Sequence, residues 1–506
     1  KRQEAAVNGS TNTPSREGTG ESTTFQIITG SYERVLHGFT ATIPHNLITK
    51  PDNTSTTTQD DDQPKISFSD TFLFNAHASS IRCLALSPPT PESTKILLAT
   101  GSTDERINIY TLSKTPPPAP SSSKPHPAPT PKPPTLNGPS TTTENAKNKE
   151  LGSLLHHSSS VTALFFPSRA KLLSASEDST IAITRTRDWE PLSSIKAPIP
   201  KPQGRPSGDT AAPGEVPSGI NAFAVHPSMK LMVSVSKGEK CMRLWNLVTG
   251  KKAGVLNFNR DILASVGEGR FASGEGRGVV WDHGGEEFAV AFERGVVVFG
   301  VDCRPKARIL PWPRTKVHQV MYLPPSRDGE HNASSTLSVS TEDGRIMLYD
   351  TDSTTSPNTQ NSNNDNGNDS DNDNETIPSI SLIAQVGGPA AGITSRVKQF
   401  AVLPVSASTS TSISTSTFLI LAGSSDGTVR LWSLDTRDLK DADAKEKDKG
   451  FAAKQVGTLL GTYSTGTRIT CLTAFAMTGA PEEDRDGDGD EEGEGESDDE
   501  SSKESE

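Results

Sequence analysis

Hydrophobic residues in this chain fall into short runs that are joined in pairs by tight polar turns. Residues 421–434 read LAGSSDGTVRLWSL, in which two aliphatic runs meet at Asp426-Gly427. Two apolar runs joined by Asp-Gly are the strongest short-range signal of a β-hairpin. The same pattern recurs at 96–112, 171–186, 231–247 and 337–350, and in a weaker copy at 286–301. An apolar run precedes each hairpin and another usually follows, which predicts repeated units of four short strands.

The hairpins define six repeats, and a few strands remain at the two ends of the chain. Three runs lie near the start, at 25–31, 34–43 and 65–74, and one lies near the end, at 467–475. Because unpaired sheet edges invite aggregation, we expect these strands to join in one further blade. The predicted fold is all-β: a seven-bladed WD40 β-propeller over residues 23–478, closed by N- and C-terminal strands, with stacked blades burying one another.

The segments between the repeats are polar and cannot bury enough apolar surface to offset the entropy lost on ordering. We expect disorder in the N-terminal segment 1–22, in the acidic tail 479–506 and in insertions near 44–64, 114–147, 198–218, 351–378, 404–417 and 435–453. If the strands of a blade are lettered a to d, most insertions lie in a–b or c–d loops and crowd one rim. The other rim, with the b–c turns and d–a connections, stays open for a folded partner. Insertions accumulating where they do least harm would give the same pattern.

The negative charge of the chain is concentrated at its C-terminal end. Residues 481–506 hold 15 of the 62 acidic and 2 of the 50 basic residues, which leaves 47 acidic and 48 basic residues elsewhere. The net charge of −12 therefore says little about the surface of the ring. Acidic runs of this kind are typical of solvated tails, and screening or mimicry of nucleic acid among basic partners is the alternative.

No group of residues in the sequence predicts catalysis, a metal or a cofactor. Residues 484–495 begin with calcium-loop spacing, but Gly495 stands where a bidentate Glu is needed. The four cysteines are scattered, which favours free thiols in a reducing compartment. No apolar run is long enough to span a membrane. The sequence therefore predicts a non-enzymatic protein with no cofactor, no metal and no membrane contact.

Eight residues are predicted to hold the repeats together. His77 and His157 each precede strand a of their blade, where the ring can bond to the turn Asp of that blade, Asp104 or Asp178. A His–Asp pair that recurs from blade to blade indicates a scaffold that satisfies buried polar atoms, because a catalytic pair would occur once beside a nucleophile. The set is completed by the Trp or turn-Asp positions of other blades: Trp245, Asp343, Asp426 and Trp432.

The rim with the b–c turns is predicted to be the partner face. Its candidate residues flank the turns or precede strand a, so we expect their side chains to point away from the packed blades. Mixed charge there suits a surface that selects among basic partners. The residues are Glu177, Lys237, Arg294, Glu342, Arg396 and Arg468.

Four segments resemble one family of WD40 proteins, the PAK-kinase-interacting proteins, whose fungal members are of the Mak-eleven type. They are ITGSYERVLHGFTA (28–41), SASEDSTIAITRTRDWEPLSSIKA (174–197), AVHPSMKLMVSVSKGEKCMRLWNLVTGKKA (224–253) and VRLWSL (429–434). The GSYE…GF opening and the RTRDWE step are specific, whereas the last segment is general to WD40 repeats. The chain departs from the family at Gly238, where an Asp is expected, at Thr184, where a Trp is expected, and in its acidic tail.

The resemblance implies a nucleolar or nuclear assembly factor of the large ribosomal subunit that acts in pre-ribosomal RNA processing. The partners it implies are pre-ribosomal large-subunit proteins, with pre-rRNA nearby and contacted indirectly, and the chain acting as a monomer within a larger particle. A signalling adaptor that binds and inhibits a p21-activated-type kinase is the alternative. A ubiquitin-ligase substrate receptor is a third reading, but no repeat shows the Trp-Asp-x-Arg ending that many of those receptors carry.

Overall fold

The structure is a computed structural model, and it describes most of the predicted repeat region. The predicted tail and nearly all of the predicted N-terminal segment lie outside the described residues, as do most residues of the predicted insertions. The described residues are 22–48, 66–91, 93–116, 145, 147–199, 218–269, 272–325, 335–355, 377–405, 417–440 and 453–478.

The first sheet takes its strands from both ends of the chain. It contains β1 (Ser22–Ser31), β2 (Val35–Pro44), β3 (Ser67–Asn75) and β28 (Ile469–Ala476). Their order is β28-β1-β2-β3, and β28 runs antiparallel to β1 with Ile28 opposite Thr473. The N- and C-terminal strands that lie outside the six hairpin repeats therefore pair with each other.

Four further sheets are antiparallel, with four strands consecutive in sequence. The second sheet contains β4 (Ile81–Leu86), β5 (Lys95–Ser102), β6 (Ile107–Ser113) and β7 (Lys149–Leu154). The third contains β8 (Val161–Ser168), β9 (Lys171–Ser176), β10 (Thr180–Arg185) and β11 (Pro191–Lys196). The fourth contains β12 (Ile220–Val225), β13 (Leu231–Ser236), β14 (Cys241–Asn246) and β15 (Lys251–Asn257). The sixth contains β24 (Val397–Val405), β25 (Thr417–Ser424), β26 (Thr428–Asp435) and β27 (Thr458–Ser464).

The fifth sheet has eight strands in two antiparallel halves. One half contains β16 (Gly278–Trp281), β17 (Glu287–Ala291), β18 (Val296–Gly300) and β19 (Pro305–Ile309). The other contains β20 (Val317–Tyr322), β21 (Thr336–Thr341), β22 (Arg345–Thr355) and β23 (Ser379–Gly387). The order is β16-β17-β18-β19-β23-β22-β21-β20, and the halves meet in one parallel pair, Arg308 and Ser379. The described residues thus form six sheets, and the all-β prediction is confirmed.

Each four-stranded sheet, and each half of the fifth sheet, is a group of four strands that we call a run. The runs are arranged in a closed circuit. The first strand of each run contacts the first strand of the next, in the order β28, β4, β8, β12, β16, β20, β24 and back to β28. The core lies between the sheets: one cluster joins Ile109 to Val161 and Phe166, and another joins Ile28 to Ile81. Because each sheet buries a face against its neighbours, none of them carries a core of its own.

Two glycines lie where neighbouring sheets approach closely. A Cβ at Gly30 would lie 2.7 Å from Ile81 Cγ2 on β4, and one at Gly101 would lie 2.7 Å from a Val161 methyl carbon on β8. Both glycines stand near the end of the second strand of a run, beside the first strand of the next. Any larger residue at these positions would push the sheets apart.

Short helices occupy some of the connections. They are α1 (His45–Ile48), α2 (Arg260–Ser265) and α3 (Arg437–Lys440), with a 3-10 helix at Pro389–Ala391. Asn259 caps α2 by accepting a hydrogen bond from the Ile262 amide at 2.8 Å, and Ile262 packs into the core. No helix among the described ranges has the length and apolar character needed to cross a membrane.

The described ends of three predicted insertions are ordered. Residues 45–48 form α1, residues 351–355 continue β22, and residues 437–440 form α3. Ile48 and Leu439 pack against core clusters, and Thr354 pairs with Ile380 across the sheet. These contacts stabilise short elements at the ends of segments that composition alone marks as disordered.

Candidate protein-interaction surface

One rim carries the turns between the second and third strands of each run. We call it the hairpin-turn rim. In six runs a backbone hydrogen bond joins this turn to the residue that precedes the first strand, at 2.8–3.1 Å. The donor–acceptor pairs are Tyr32–Arg468, Thr103–Ser80, Glu177–Ser160, Lys237–Gly219, Glu342–Lys316 and Ser425–Arg396. Five of the six predicted partner-face residues therefore take part in these hydrogen bonds. The sixth, Arg294, lies in the β17–β18 turn.

In the second sheet, His77 holds the hairpin turn from the incoming chain. Its Nδ1 lies 3.1 Å from Asp104 Oδ2, and its Nε2 lies 2.7 Å from Thr100 Oγ1. Because a carboxylate only accepts, Nδ1 carries the proton. Asp104 also accepts from the Ala78 amide at 2.9 Å. Burial lowers the pKa of His77 despite the nearby carboxylate, so its ring stays neutral near pH 7.

The third sheet repeats this arrangement with His157. Its Nδ1 lies 3.1 Å from Asp178 Oδ2 and its Nε2 lies 2.8 Å from Ser174 Oγ. Burial opposes ionisation of Asp178, but hydrogen bonds from His157 and Thr180 outweigh it and lower the pKa of Asp178 to about 2. Both His side chains are fully buried, as scaffold groups would be.

The turn at Asp343 is held by an arginine instead. Arg345 lies two residues further along, at the start of β22, and is completely buried. Its Nε and a terminal nitrogen donate to Asp343 at 3.0 and 2.7 Å. The other terminal nitrogen donates to the Trp312 carbonyl at 2.7 Å. Arg345 thus ties the hairpin turn to the preceding connection, the task that His77 performs in the second sheet.

The fourth and sixth sheets use arginines four residues after the turn acid. Arg430 donates to Asp426 at 3.3 Å, and Arg243 pairs with Glu239. Glu239 thereby supplies the carboxylate that Gly238 lacks. Burial opposes the charge of Arg243, but its hydrogen bonds to Glu239 prevail and raise its pKa.

The two predicted tryptophans are both buried structural groups. Trp245 Nε1 donates to Ser234 Oγ at 2.8 Å. Trp432 packs in the cluster that contains Val386 and Leu434, and it is 7% exposed. Thr184, at the equivalent position of the third sheet, is also buried.

Ion pairs centred on three glutamates lie along the hairpin-turn rim, and most of them link neighbouring runs. Glu177 pairs with Arg82 at 2.9 Å and with Lys237 at 3.9 Å. Glu342 pairs with Arg396 at 3.3 Å. A third glutamate, Glu293, pairs with Lys316 at 2.9 Å and with Arg277 at 3.5 Å. Four of the predicted face residues are therefore half-buried in ion pairs rather than pointing freely outward.

The remaining two predicted residues are exposed, and one stands beside an exposed aromatic ring. These are Arg294 and Arg468. The Arg468 guanidinium lies 5.7 Å from the centre of the Tyr32 ring, which is 61% exposed. Trp312 is 58% exposed on the same rim, and Arg345 anchors its carbonyl. Exposed Tyr, Trp and Arg are the residue types that dominate binding energy at protein interfaces.

The inner edge of the rim is basic beside His318 and Lys398. Burial, together with the charges of Lys398, Arg396 and Lys316, lowers the pKa of His318 to about 4 against the opposing effect of Glu342. Burial and the charges of Arg396 and Arg468 also lower the pKa of Lys398. An acidic partner group would relieve this repulsion.

In the described part of the chain, no group of three or more His, Cys, Asp or Glu residues could hold a metal ion. The four cysteines are free, and burial raises the pKa of Cys471 to about 12. A thiol with a raised pKa is a poor nucleophile at neutral pH.

Comparison with known proteins agrees with this architecture. Residues 68–111, 148–184 and 403–433 match the family described as WD domain, G-beta repeat. These stretches therefore carry WD40 repeats, and proteins with such repeats generally act as binding scaffolds.

The resemblance found in the sequence is confirmed at about one quarter identity over most of the chain. Protein MAK11 of Saccharomyces cerevisiae is 25% identical over 90% of this chain and 84% of its own length. A p21-activated protein kinase-interacting protein 1-like of Xenopus laevis is 22% identical over 82% of this chain and 77% of its own. The protein of the same name from Gallus gallus is 26% identical, and this chain spans only about half of its length, 50%.

Several residues of this surface could not be singled out by the repeat pattern. Arg345, Arg430 and Arg243 follow a turn acid by two or four residues, a spacing that signals an arginine tie only once the strand register is known. Tyr32 and Trp312 lie in irregular connections without periodicity. Their exposure is a property of the folded rim and cannot be predicted from strand periodicity.

Proposed function

We propose that this protein is a non-enzymatic scaffold in assembly of the large ribosomal subunit and in pre-rRNA processing. The observation that carries the proposal is the alignment with Protein MAK11 over 90% of the chain. The family resemblance implies a role in ribosome assembly, and the hairpin-turn rim offers a surface on which such a role could rest. Fold alone does not specify function, so the rim and the alignment are needed together.

The proposal includes a propeller of seven blades. The two halves of the fifth sheet meet in a single parallel pair, Arg308 and Ser379, whereas strands within each half pair along their lengths. We therefore count the halves as separate blades. The closed circuit of first strands supports this count.

The hairpin-turn rim is the proposed partner face. Tyr32 and Trp312 supply exposed aromatic anchors, and Arg294 and Arg468 supply exposed cations. The half-buried ion pairs between them fix the pattern of charge, which favours selectivity over raw affinity. The partners we propose are proteins of the pre-ribosomal large subunit in the nucleolus or nucleus, with pre-rRNA nearby and the chain acting as a monomer in the particle.

A tagged pull-down with identification of co-purified protein and RNA tests the proposal. In the test variant, Lys237, Arg294, Arg396 and Arg468 are all changed to Glu. The matched control changes four exposed cations on the opposite rim to Glu: Lys171, Arg187, Lys230 and Arg304. We expect the first variant to lose large-subunit precursor components and the control to retain them, with melting temperatures within a few degrees. Loss in the control alone would show that the face is wrongly assigned.

A kinase adaptor is the second candidate, since relatives from Gallus gallus and Xenopus laevis are named for interaction with p21-activated protein kinase. The same experiment separates the two functions. Capture of a kinase of this type without ribosomal material would favour the adaptor and contradict the assembly role.

A further inference from the structure

Six of the first strands are irregular at the same position, close to the hairpin-turn rim. In each, the strand pairing passes over the residue two positions after the carbonyl that accepts the backbone hydrogen bond of the turn. An irregularity of this kind redirects the side chain of the unpaired residue. Because the first strands form a closed circuit, these residues surround the axis of the ring. They are Arg82, Thr162, Asn221, His318, Lys398 and Thr470.

Four of these side chains bond to the next run of the circuit. Three donate to a backbone carbonyl in or just before the next first strand, and the fourth pairs with a glutamate in the next hairpin turn. The donor–acceptor pairs are Thr162–Ile220 at 2.6 Å, Asn221–Gly276 at 2.9 Å, Thr470–Ile81 at 2.6 Å and Arg82–Glu177 at 2.9 Å. The position therefore serves to join one run to the next.

His318 and Lys398 stand at the same position without such a bond. Among the described residues, neither side chain has a hydrogen-bond or ion-pair partner, and His318 Nε2 is buried without one. The two lie on neighbouring strands, because Gln319 accepts a hydrogen bond from the Phe400 amide at 2.7 Å and so holds β20 against β24. Two adjacent polar groups are thus available to a ligand.

The charge around these two residues is positive. Lys316 and Arg396 are already paired with glutamates. Within the described part of the chain, Lys398 and Arg468 are paired with no carboxylate, and Arg468 is exposed. Burial and the charges of Arg396 and Arg468 lower the pKa of Lys398, so its ammonium group is destabilised without a counter-ion. An anion that enters here is attracted by two cations at once.

We propose that His318, Lys398 and Arg468 form a site for the carboxylates of an acidic segment of a partner protein. We call these three residues the inner cation site. The proposal rests on the partner face proposed above and gives that face a chemical preference. A carboxylate only accepts hydrogen bonds, so it matches the ammonium and guanidinium donors of this site, and such charge-assisted bonds are the strong ones.

Nucleic acid fits the same rim less well. A phosphate backbone needs a continuous basic stripe, because its charges repeat along the whole strand. On the hairpin-turn rim, Glu177, Glu293 and Glu342 stand between the cations. They would repel a long polyanion but leave room for a short acidic segment at the inner cation site.

Fluorescence anisotropy of a labelled six-residue peptide of alternating Asp and Glu, added to the purified full chain, tests the proposal. We expect binding about tenfold or more tighter than that of a matched peptide of Asn and Gln, and a decrease in affinity as salt rises. Undetectable binding, or equal binding of the two peptides, would overturn the proposal. Displacement of the acidic peptide by single-stranded RNA at a lower concentration of charge would also overturn it and assign the surface to nucleic acid.

Substitutions at the site keep the result specific. Lys398→Thr gives β24 the residue that β8 and β28 carry at this position, so the melting temperature should stay within a few degrees. It should weaken peptide binding about tenfold, and Lys398→Gln, which keeps most of the length without the charge, should do the same. His318→Thr should weaken binding by a smaller factor, because His318, with a pKa of about 4, is uncharged at neutral pH.

The matched control is Lys171→Thr, which removes an exposed lysine on the opposite rim and should leave peptide binding unchanged. Equal weakening by Lys171→Thr and Lys398→Thr would reveal a general charge effect and overturn the inner cation site. The peptide assay contains no ribosomal material. Failure of large-subunit capture therefore leaves its result unaffected, and failure of peptide binding leaves the test of the assembly role unaffected.

Discussion

The second sheet and the second half of the fifth sheet hold the same kind of turn with different chemistry. In the second sheet a buried, neutral His77 donates to Asp104, and Asp104 also accepts a hydrogen bond from the backbone amide of Ala78. In the fifth sheet a permanently charged Arg345 neutralises Asp343 and donates a hydrogen bond to the backbone carbonyl of Trp312 in the preceding connection. In both cases the turn acid is paired and the preceding connection is held. The turn acid is therefore paired in both sheets, although the residue that pairs with it differs.

The largest difference should appear when the arginine tie is removed. Arg345→Met keeps much of the side-chain volume but leaves Asp343 without its cation and the Trp312 carbonyl without its donor. Breaking a buried ion pair from one side costs about 3–5 kcal/mol of unfolding free energy. Urea unfolding of the variant checks this value.

Arg430→Met provides the matched comparison, because Arg430 is 16% exposed and its partner Asp426 is 34% exposed. We expect a loss of about 1 kcal/mol or less there, since water can replace the arginine. Equal losses in the two variants would mean that burial does not distinguish the two ties.

Removing a histidine tie should have a smaller effect than removing Arg345. His77→Ala and His157→Ala each lose two hydrogen bonds and leave a small cavity, which we expect to cost about 2–3 kcal/mol. The control is His283→Ala, at an exposed position in the connection between β16 and β17. Thermal unfolding should show near-equal losses for the two buried histidines and none for His283; unequal losses would contradict their equivalence.

Acid should distinguish the two kinds of tie. The pKa of His77 is lowered in the folded state from its ordinary 6.5, so folding is favoured above pH 6.5 and this contribution is lost as pH falls below it. His318, with a pKa of about 4, acts in the same direction. The contribution of Asp178 to the free energy of unfolding is lost only as pH falls from 3.8 towards 2.

We therefore expect His77→Gln to show a smaller drop in melting temperature between pH 7 and pH 5 than the unmodified protein. Arg345→Met should show an unchanged drop, because guanidinium does not titrate in this range. Identical slopes for His77→Gln and the unmodified protein would rule out His77 as a source of the acid sensitivity.

The side-chain contacts that hold these two turns also show which contacts could be predicted from the sequence. The pairs His77–Asp104 and His157–Asp178 follow from local repeat spacing, as does pairing of the terminal strands from the leftover runs. Arg345 could not be assigned in this way, because its partners include a carbonyl 33 residues earlier in the chain. That contact depends on how the connection folds back over β22.

The charged rim shows the same limit. All six predicted positions lie on one rim, because turn positions follow from strand periodicity. Their pairing does not follow, since Glu177 meets cations from two other sheets, Arg82 and Lys237. Which charges are neutralised is decided by packing between repeats, and so only Arg294 and Arg468 remain exposed. Their role in binding a partner stays a prediction.

The smallest effect is expected where an ion pair on the rim is reversed rather than removed. Glu342→Arg with Arg396→Glu keeps opposite charges at a half-exposed site, where the native pair is 3.3 Å apart. Surface ion pairs contribute about 0–1 kcal/mol, so the double variant should unfold within about 0.5 kcal/mol of the unmodified protein. Each single variant places like charges together and should lose up to about 1 kcal/mol of unfolding free energy. Nearby Lys398 and Lys316 can offset the repulsion only in the variant that has two glutamates. Denaturant unfolding of the four proteins forms a double-mutant cycle that measures the coupling directly. A coupling well above 1 kcal/mol would place this pair with the buried tie of Arg345. A coupling near zero would show that the rim charges are free to serve a partner without a cost in stability.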